Sequence, residues 1–255
     1  MTTWVLIRGL TREAAHWGRF PDELERAVGN ARVVAVDLPG AGRLWRMASP
    51  LRVQRMVEVC RAQLHEQAVP PPYVLLGLSL GGMVAAEWSA AHEQEVLACV
   101  LVNSSLRPFS PVHQRLRASR WPQLLGLMGS RDDVRIEQNI LEMTSNQPIR
   151  HSAVLVNWLA IRRARPVATS NALRQLVAAS AYRHAGPPPR AVTLVIASAT
   201  DGLVDPACSV AIAQQWGAEL ITHPTAGHDL PLDDGLWLAG MLADWSARRL
   251  SAGER

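Results

Sequence analysis

Short, nearly continuous apolar runs alternate along the chain with stretches whose apolar residues recur every three or four positions. The runs fall at residues 4–7, 32–37, 73–76, 96–102, 192–197 and 219–222, and predict six strands. The stretches at 14–28, 51–64, 208–216 and 236–250, and the one that follows residue 79, have helical spacing. Unbroken apolarity, as at 96–102, is expected of a parallel strand covered on both faces. Strands alternating with helices imply a mostly parallel sheet with right-handed crossovers, its functional groups on loops at the carboxyl ends of the strands. Between Leu106 and Gly186 the alternation stops and the pattern turns helical, most clearly at 132–143, 152–161 and 171–181. The expected architecture is an α/β fold. A six-stranded sheet flanked by helices is built from residues 1–105 and 187–255, with 106–186 inserted as a helical cap. Pro187, Pro188 and Pro189 mark the return to the core. The insert holds more large apolar residues than exposed helices need, so some face the main body. Trp158, with Trp17 from the first helical stretch, is a candidate for the wall of a substrate pocket.

A chain of 255 residues is long enough for one large α/β domain, and no Gly/Ser-rich or charge-block linker divides it. The first ten residues lack a basic start followed by a long apolar run, and no apolar run approaches the roughly 18 residues of a membrane span. Cys60, Cys99 and Cys208 are odd in number, far apart and set in apolar patterns, as expected of reduced core thiols. The chain therefore reads as a soluble, cytoplasmic protein with neither membrane nor nucleic acid as partner. All 26 basic residues are arginine, and 12 of them fall between Leu106 and Gly186 against four acids, a formal +8 on a body of −4. That segment is either a solvated arginine-rich face or a docking site for an acidic partner such as an acyl carrier.

Chemistry concentrates at Gly77-Leu78-Ser79-Leu80-Gly81-Gly82, which joins a strand pattern to a helix pattern through G-x-S-x-G. In such a turn the central residue takes a strained backbone conformation, and tiny residues two before and two after let strand and helix pass closely. The Ser79 hydroxyl is then lifted clear of the chain. The amide of Leu80, at the start of the helix, points where a negative oxygen would form. Two later loops carry Asp201 and His228, respectively 122 residues beyond Ser79 and 27 beyond that. A serine hydroxyl becomes nucleophilic when an imidazole removes its proton and a carboxylate fixes the imidazole tautomer. Asp205 competes for the acid role, although its place before Pro206 suits a helix cap. His223 competes for the base role, although it ends a strand.

With these pieces, and with Asp37-Leu38-Pro39-Gly40-Ala41-Gly42 as a structural turn, the chain resembles the α/β-hydrolase superfamily, in its compact, capped serine esterase branch. The resemblance extends over nearly everything outside residues 106–186. It implies an α/β-hydrolase core, Ser79, Asp201 and His228 as the catalytic triad, and the Leu10 amide as the second oxyanion donor beside Leu80. It also implies a small-molecule ester as substrate and no metal or organic cofactor. The same triad serves thioesterases, carbon–carbon hydrolases, lyases and cofactor-free perhydrolases, and a slow-turnover ligand receptor on this fold would carry it too. One departure stands out: Arg8-Gly9 replaces the usual His-Gly. The arginine charge either enters the pocket or is absorbed in a salt bridge at its rim.

Overall fold

A computed structural model describes residues 2–250; Met1 and residues 251–255, which the sequence assigns to the core, lie outside the described residues. The six expected strands are β1 Thr2–Ile7, β2 Ala31–Val36, β3 Tyr73–Leu78, β4 Val96–Val102, β5 Val192–Ser198 and β6 Glu219–His223. They form one sheet in the order β2-β1-β3-β4-β5-β6, with every neighbouring pair parallel. The chain leaves β1 toward one edge and β3 toward the other, so the loops after these two adjacent strands diverge. A crevice opens where the winding direction reverses.

Side chains alternate across the sheet, and both faces are covered. Trp4, Leu6, Val74, Leu76, Val100 and Ile196 pack against α1 Phe20–Val28 and α10 Leu230–Arg249. Val5, Ile7, Leu75, Leu101 and Val195 pack against α2 Val53–Glu66, α3 Leu80–Ala91 and α9 Ala207–Trp216. Two-sided burial is why the strands read as continuous apolar runs rather than as alternating ones. Cys60, Cys99 and Cys208 are free and buried, and burial pushes the Cys60 and Cys99 thiols up to about 12. Among the described residues no helix is long and apolar enough to cross a membrane.

Five helices lie between β4 and β5: α4 Val112–Arg115, α5 Trp121–Met128, α6 Asp133–Thr144, α7 Val154–Ala164 and α8 Thr169–Ala181. The last three match the predicted stretches, and Asp132 caps α6 by accepting from the Val134 and Arg135 amides. The arginines of this segment divide. Arg107, Arg131, Arg135, Arg150, Arg163 and Arg183 are exposed. Others reach the rest of the molecule: Arg120 donates to Gly202 O, Arg174 to Ser49 O, and Arg165 to Glu13. The expected helix over 14–28 is in fact a 3-10 turn, Ala14–Trp17, followed by α1. Gly18, at φ 57°, breaks it, and Pro21 suits the first turn of the new helix.

Candidate active site

Ser79 sits between β3 and α3 at φ 58° and ψ −119°, a conformation that costs a non-glycine residue on the order of 1–3 kcal/mol. Its surroundings hold it there. The Ser79 amide donates to Val102 O at 2.9 Å, and its carbonyl accepts from the Ser104 hydroxyl at 2.8 Å. The flanking glycines are demanded by contact: a Cβ at Gly77 would lie 2.2 Å from Gly81 O, and one at Gly81 would lie 2.1 Å from Ile7 O. Gly81→Ala should therefore cost about 3 kcal/mol or more, read as a shift of the denaturation midpoint. A variant as stable as the parent would mean that α3 can move away from β1 and β3 at little cost.

Asp201 follows β5 and is 3% exposed. Its Oδ1 accepts from the Leu203 and Val204 amides at 2.8 and 3.0 Å, which turns Oδ2 toward His228, in the loop after β6. The distance from His228 Nδ1 to Asp201 Oδ2 is 2.7 Å. A carboxylate oxygen only accepts, so Nδ1 carries the proton and Nε2 is left as the ring's basic nitrogen. Ser79 and His228 line the same cavity. The competing candidates lie in other bonds. Asp205 accepts from the Ala207 amide at the start of α9, and His223 Nδ1 accepts from the Ala226 amide.

The loop after β1 faces Ser79 closely enough that a Cβ on Gly9 would be 3.1 Å from Ser79 Cβ. Leu10 and Leu80 both line the cavity at Ser79. Neither backbone amide donates to another group of the described residues, so both are available to a ligand oxygen.

The loop carrying His228 is held by residues whose importance the sequence did not announce. Asn103, at φ 47° after β4, donates from Nδ2 to His228 O at 2.9 Å and accepts from the Ser198 amide at 2.7 Å. The position is thus a clamp between β4, β5 and the His228 loop. Asp233 accepts from the Gly227 amide at 2.7 Å and the Asn146 amide at 2.9 Å, tying that loop to the end of α6. Asp229 accepts both terminal nitrogens of Arg8, at 3.0 and 2.6 Å, in a buried fork-to-fork pair. Burial alone would raise the Asp229 carboxyl. The charge and hydrogen bonds of Arg8, with Arg12 and His228 nearby, outweigh it and hold the group below the usual carboxylate value. Of the two expected placements the salt bridge is the one observed: Arg8 lines the cavity, but its charge is absorbed in a buried pair that braces the residue next to His228.

The cavity at Ser79 has two branches. One, of about 80 Å³, is lined by His228, Arg8, Arg12, Ile140 and Met143. The other, of about 100 Å³, lacks His228 and is lined by Leu80, Met83, Arg115, Trp121, Leu176 and Val204. Trp17 and Trp158, the expected pocket residues, line neither. Trp17 is buried against Phe20, with the Arg8 guanidinium 4.8 Å from its ring centre. Trp158 lies under Arg12 at 3.9 Å. Each tryptophan supports an arginine that lines the cavity, so each stands one layer behind the wall. Trp121 and Leu124 of α5 do line the cavity; the sequence offers this segment only as part of the insert's apolar excess, because the half-exposed helix is too short to show a clear period.

The pattern of the family described as "Alpha/beta hydrolase family" matches residues 4–240. The pimeloyl-[acyl-carrier protein] methyl ester esterase of Chromobacterium violaceum is 29% identical over 174 residues, 67% of this chain and 66% of that protein. Its namesake from Yersinia enterocolitica is 31% identical over 101 residues, 40% of this chain and 36% of that protein. The matched stretch therefore spans about a third to two thirds of these relatives' length. Among solved structures, the enol-lactonase from Burkholderia xenovorans has a TM-score of 0.79 at 17% identity, covering 96% of this chain and 91% of that one. An esterase from Rhodococcus sp. ECU1013 has a TM-score of 0.75 at 19% identity, covering 96% and 90%. At these identities the likeness to solved structures shows the fold.

Proposed function

The chain belongs to the alpha/beta hydrolase family, and we propose that within it this protein is a serine esterase working through an acyl-enzyme intermediate. Ser79 is the nucleophile, His228 the general base and then acid, and Asp201 the carboxylate that orients the imidazole. One observation carries this reading: the buried 2.7 Å bond between His228 and Asp201 stands at a cavity shared with Ser79. The names of the curated relatives point to the same bond type.

In the proposed cycle Ser79 Oγ bonds to the ester carbonyl carbon while its proton passes to His228 Nε2. The carbonyl oxygen becomes an oxyanion, held by the Leu10 and Leu80 amides. When the tetrahedral centre collapses, the ester C–O bond breaks and the alcohol leaves with the proton from His228. Water then attacks the acyl-enzyme along the same route, so one ester and one water give one acid and one alcohol. His228 must reach the leaving oxygen, which assigns the alcohol to the branch lined by His228 and the acyl chain to the other. Residues 106–186 act as a cap over a core of 1–105 and 187–255, since α4, α5, α6 and α8 contribute to the cavity walls. The names of the curated relatives favour, as a second reading, an ester on a carrier-bound acyl chain, with exposed Arg131, Arg135 and Arg163 meeting the acidic carrier.

A fluorophosphonate should label Ser79 stoichiometrically, and a panel of 4-nitrophenyl esters should show multiple turnover. Labelling without turnover would sink the esterase reading in favour of a ligand receptor. Activity on carrier-linked esters that falls with salt, beside salt-insensitive activity on small esters, would select the second reading.

A further inference from the structure

We propose that Arg115 is a substrate-recognition residue, and that the ester this protein hydrolyses carries a free carboxylate on its acyl chain. The inference rests on the esterase reading above and names its substrate class. Arg115 ends α4, is 8% exposed, and lines the branch assigned to the acyl chain, together with Ser79, Leu80 and Met83. Met83 lies one helical turn beyond Ser79, its amide 3.4 Å from Ser79 O, and its sulfur is 3.8 Å from Arg115 Nη2. The guanidinium therefore touches a side chain whose backbone stands one turn of α3 from the nucleophile, in the branch that Ser79 also lines.

What distinguishes Arg115 is the nature of its partners. Nη2 donates to Ala179 O at 2.6 Å, Nη1 to Ser180 O at 3.3 Å, and Nε to the Ser105 hydroxyl at 3.4 Å. All are neutral. The other buried arginines, Arg8 and Arg12, each pair with a carboxylate, Asp229 and Glu137 respectively. No carboxylate of the described residues pairs with Arg115; burial, with Arg107 nearby, lowers its guanidinium below the usual value. A buried charge without a counter-ion is costly. The carbonyls of Ala179 and Ser180 belong to the last turn of α8, so the helix supplies at most about half an elementary charge there. The remainder is uncompensated inside an otherwise apolar branch. A short methylene chain ending in a carboxylate fits both features at once: its stem lies along Leu80, Leu176 and Val204, and its end supplies the missing negative charge.

The test compares monomethyl esters of succinic, glutaric and adipic acids with methyl esters of monocarboxylic acids of matching length. The parent protein should favour the charged esters on the order of 10- to 100-fold in kcat/KM. Arg115→Gln should lose that margin through KM, its loss on the charged esters exceeding any loss on the neutral ones by on the order of the same factor, and Arg115→Lys should retain part of the margin. Free adipate should raise the melting temperature of the parent and not of Arg115→Gln. That readout needs no turnover, so it separates failure of this proposal from failure of the esterase reading. Equal kcat/KM for charged and neutral esters in the parent overturns the proposal. So does an equal loss on both classes in Arg115→Gln, which would make the residue a cap of α8 alone. Should the Gln variant not fold, the parent's preference and the Lys variant decide.

Discussion

Ser79→Ala is expected to lower kcat for ester hydrolysis on the order of 10⁶-fold while changing stability by no more than about 0.5 kcal/mol. The two halves of this expectation have separate physical origins. Without the hydroxyl no acyl-enzyme forms, and what survives is the effect of the Leu10 and Leu80 amides on direct attack by water. Stability is spared because the Ser79 hydroxyl makes no hydrogen bond within the described residues. The backbone interactions that hold its positive φ, from Ser79 N to Val102 O and from Ser104 Oγ to Ser79 O, do not involve the side chain that is lost. Asp201→Asn should cost less, about 10⁴-fold, since the imidazole remains and only its tautomer is disturbed. Steady-state kinetics on a 4-nitrophenyl ester and a thermal melt check both halves. Turnover by Ser79→Ala at more than about one per cent of the parent rate would remove Ser79 from the nucleophile's role.

What could be read along the chain is what local spacing encodes. Each strand is a local apolar run, and each was placed within two residues of its observed ends. The turn at Ser79 was readable because Gly77 and Gly81 answer contacts within a strand–turn–helix unit and with the neighbouring strand β1. The contact between Asp201 and His228 was legible because each follows a predicted strand, and parallel strands bring such loops to one edge. Groups joined across long separations were not readable. The Arg8–Asp229 pair links residues 221 apart, and Asn103 reaches His228 across 125. Nothing in the spacing of apolar residues specifies such a pair. Helical spacing likewise shows that Trp17 and Trp158 are buried, but not that each packs behind an arginine of the Ser79 cavity wall instead of lining that cavity itself. The arginine excess of residues 106–186 read as a surface property, whereas Arg115 is turned inward and Arg120, Arg165 and Arg174 bond across to the main body.

Arg8→Met is the substitution expected to cost most stability, about 3–5 kcal/mol, because it leaves the buried Asp229 carboxylate without its counter-charge. Methionine keeps an apolar stem against Trp17, so the loss reports the charge pair rather than the packing. Asp229→Asn in the same chain should recover part of the loss, and the double-mutant cycle measures the coupling. The pH dependence gives an independent check on sign. In the parent, Asp229 is held below its ordinary value of 3.8, so its contribution is fully present above that value and fades only as pH falls through the lowered one. Between pH 7 and pH 5 this group therefore adds no slope. In Arg8→Met the largest opposing influence is gone, and burial, countered only by the more weakly acting Arg12 and His228, raises the folded-state value above the unfolded one. The folded protein then binds a proton that the unfolded chain does not, and stability falls as pH rises. The variant should thus become more stable on acidification from pH 7 toward pH 5 relative to the parent, as read from urea midpoints across that range. Because Asp229 directly follows His228, kcat should fall along with stability, and the Arg8→Met/Asp229→Asn chain should regain activity and stability together. Full activity in a destabilised Arg8→Met would show that the brace beneath the His228 loop serves the fold without positioning the base.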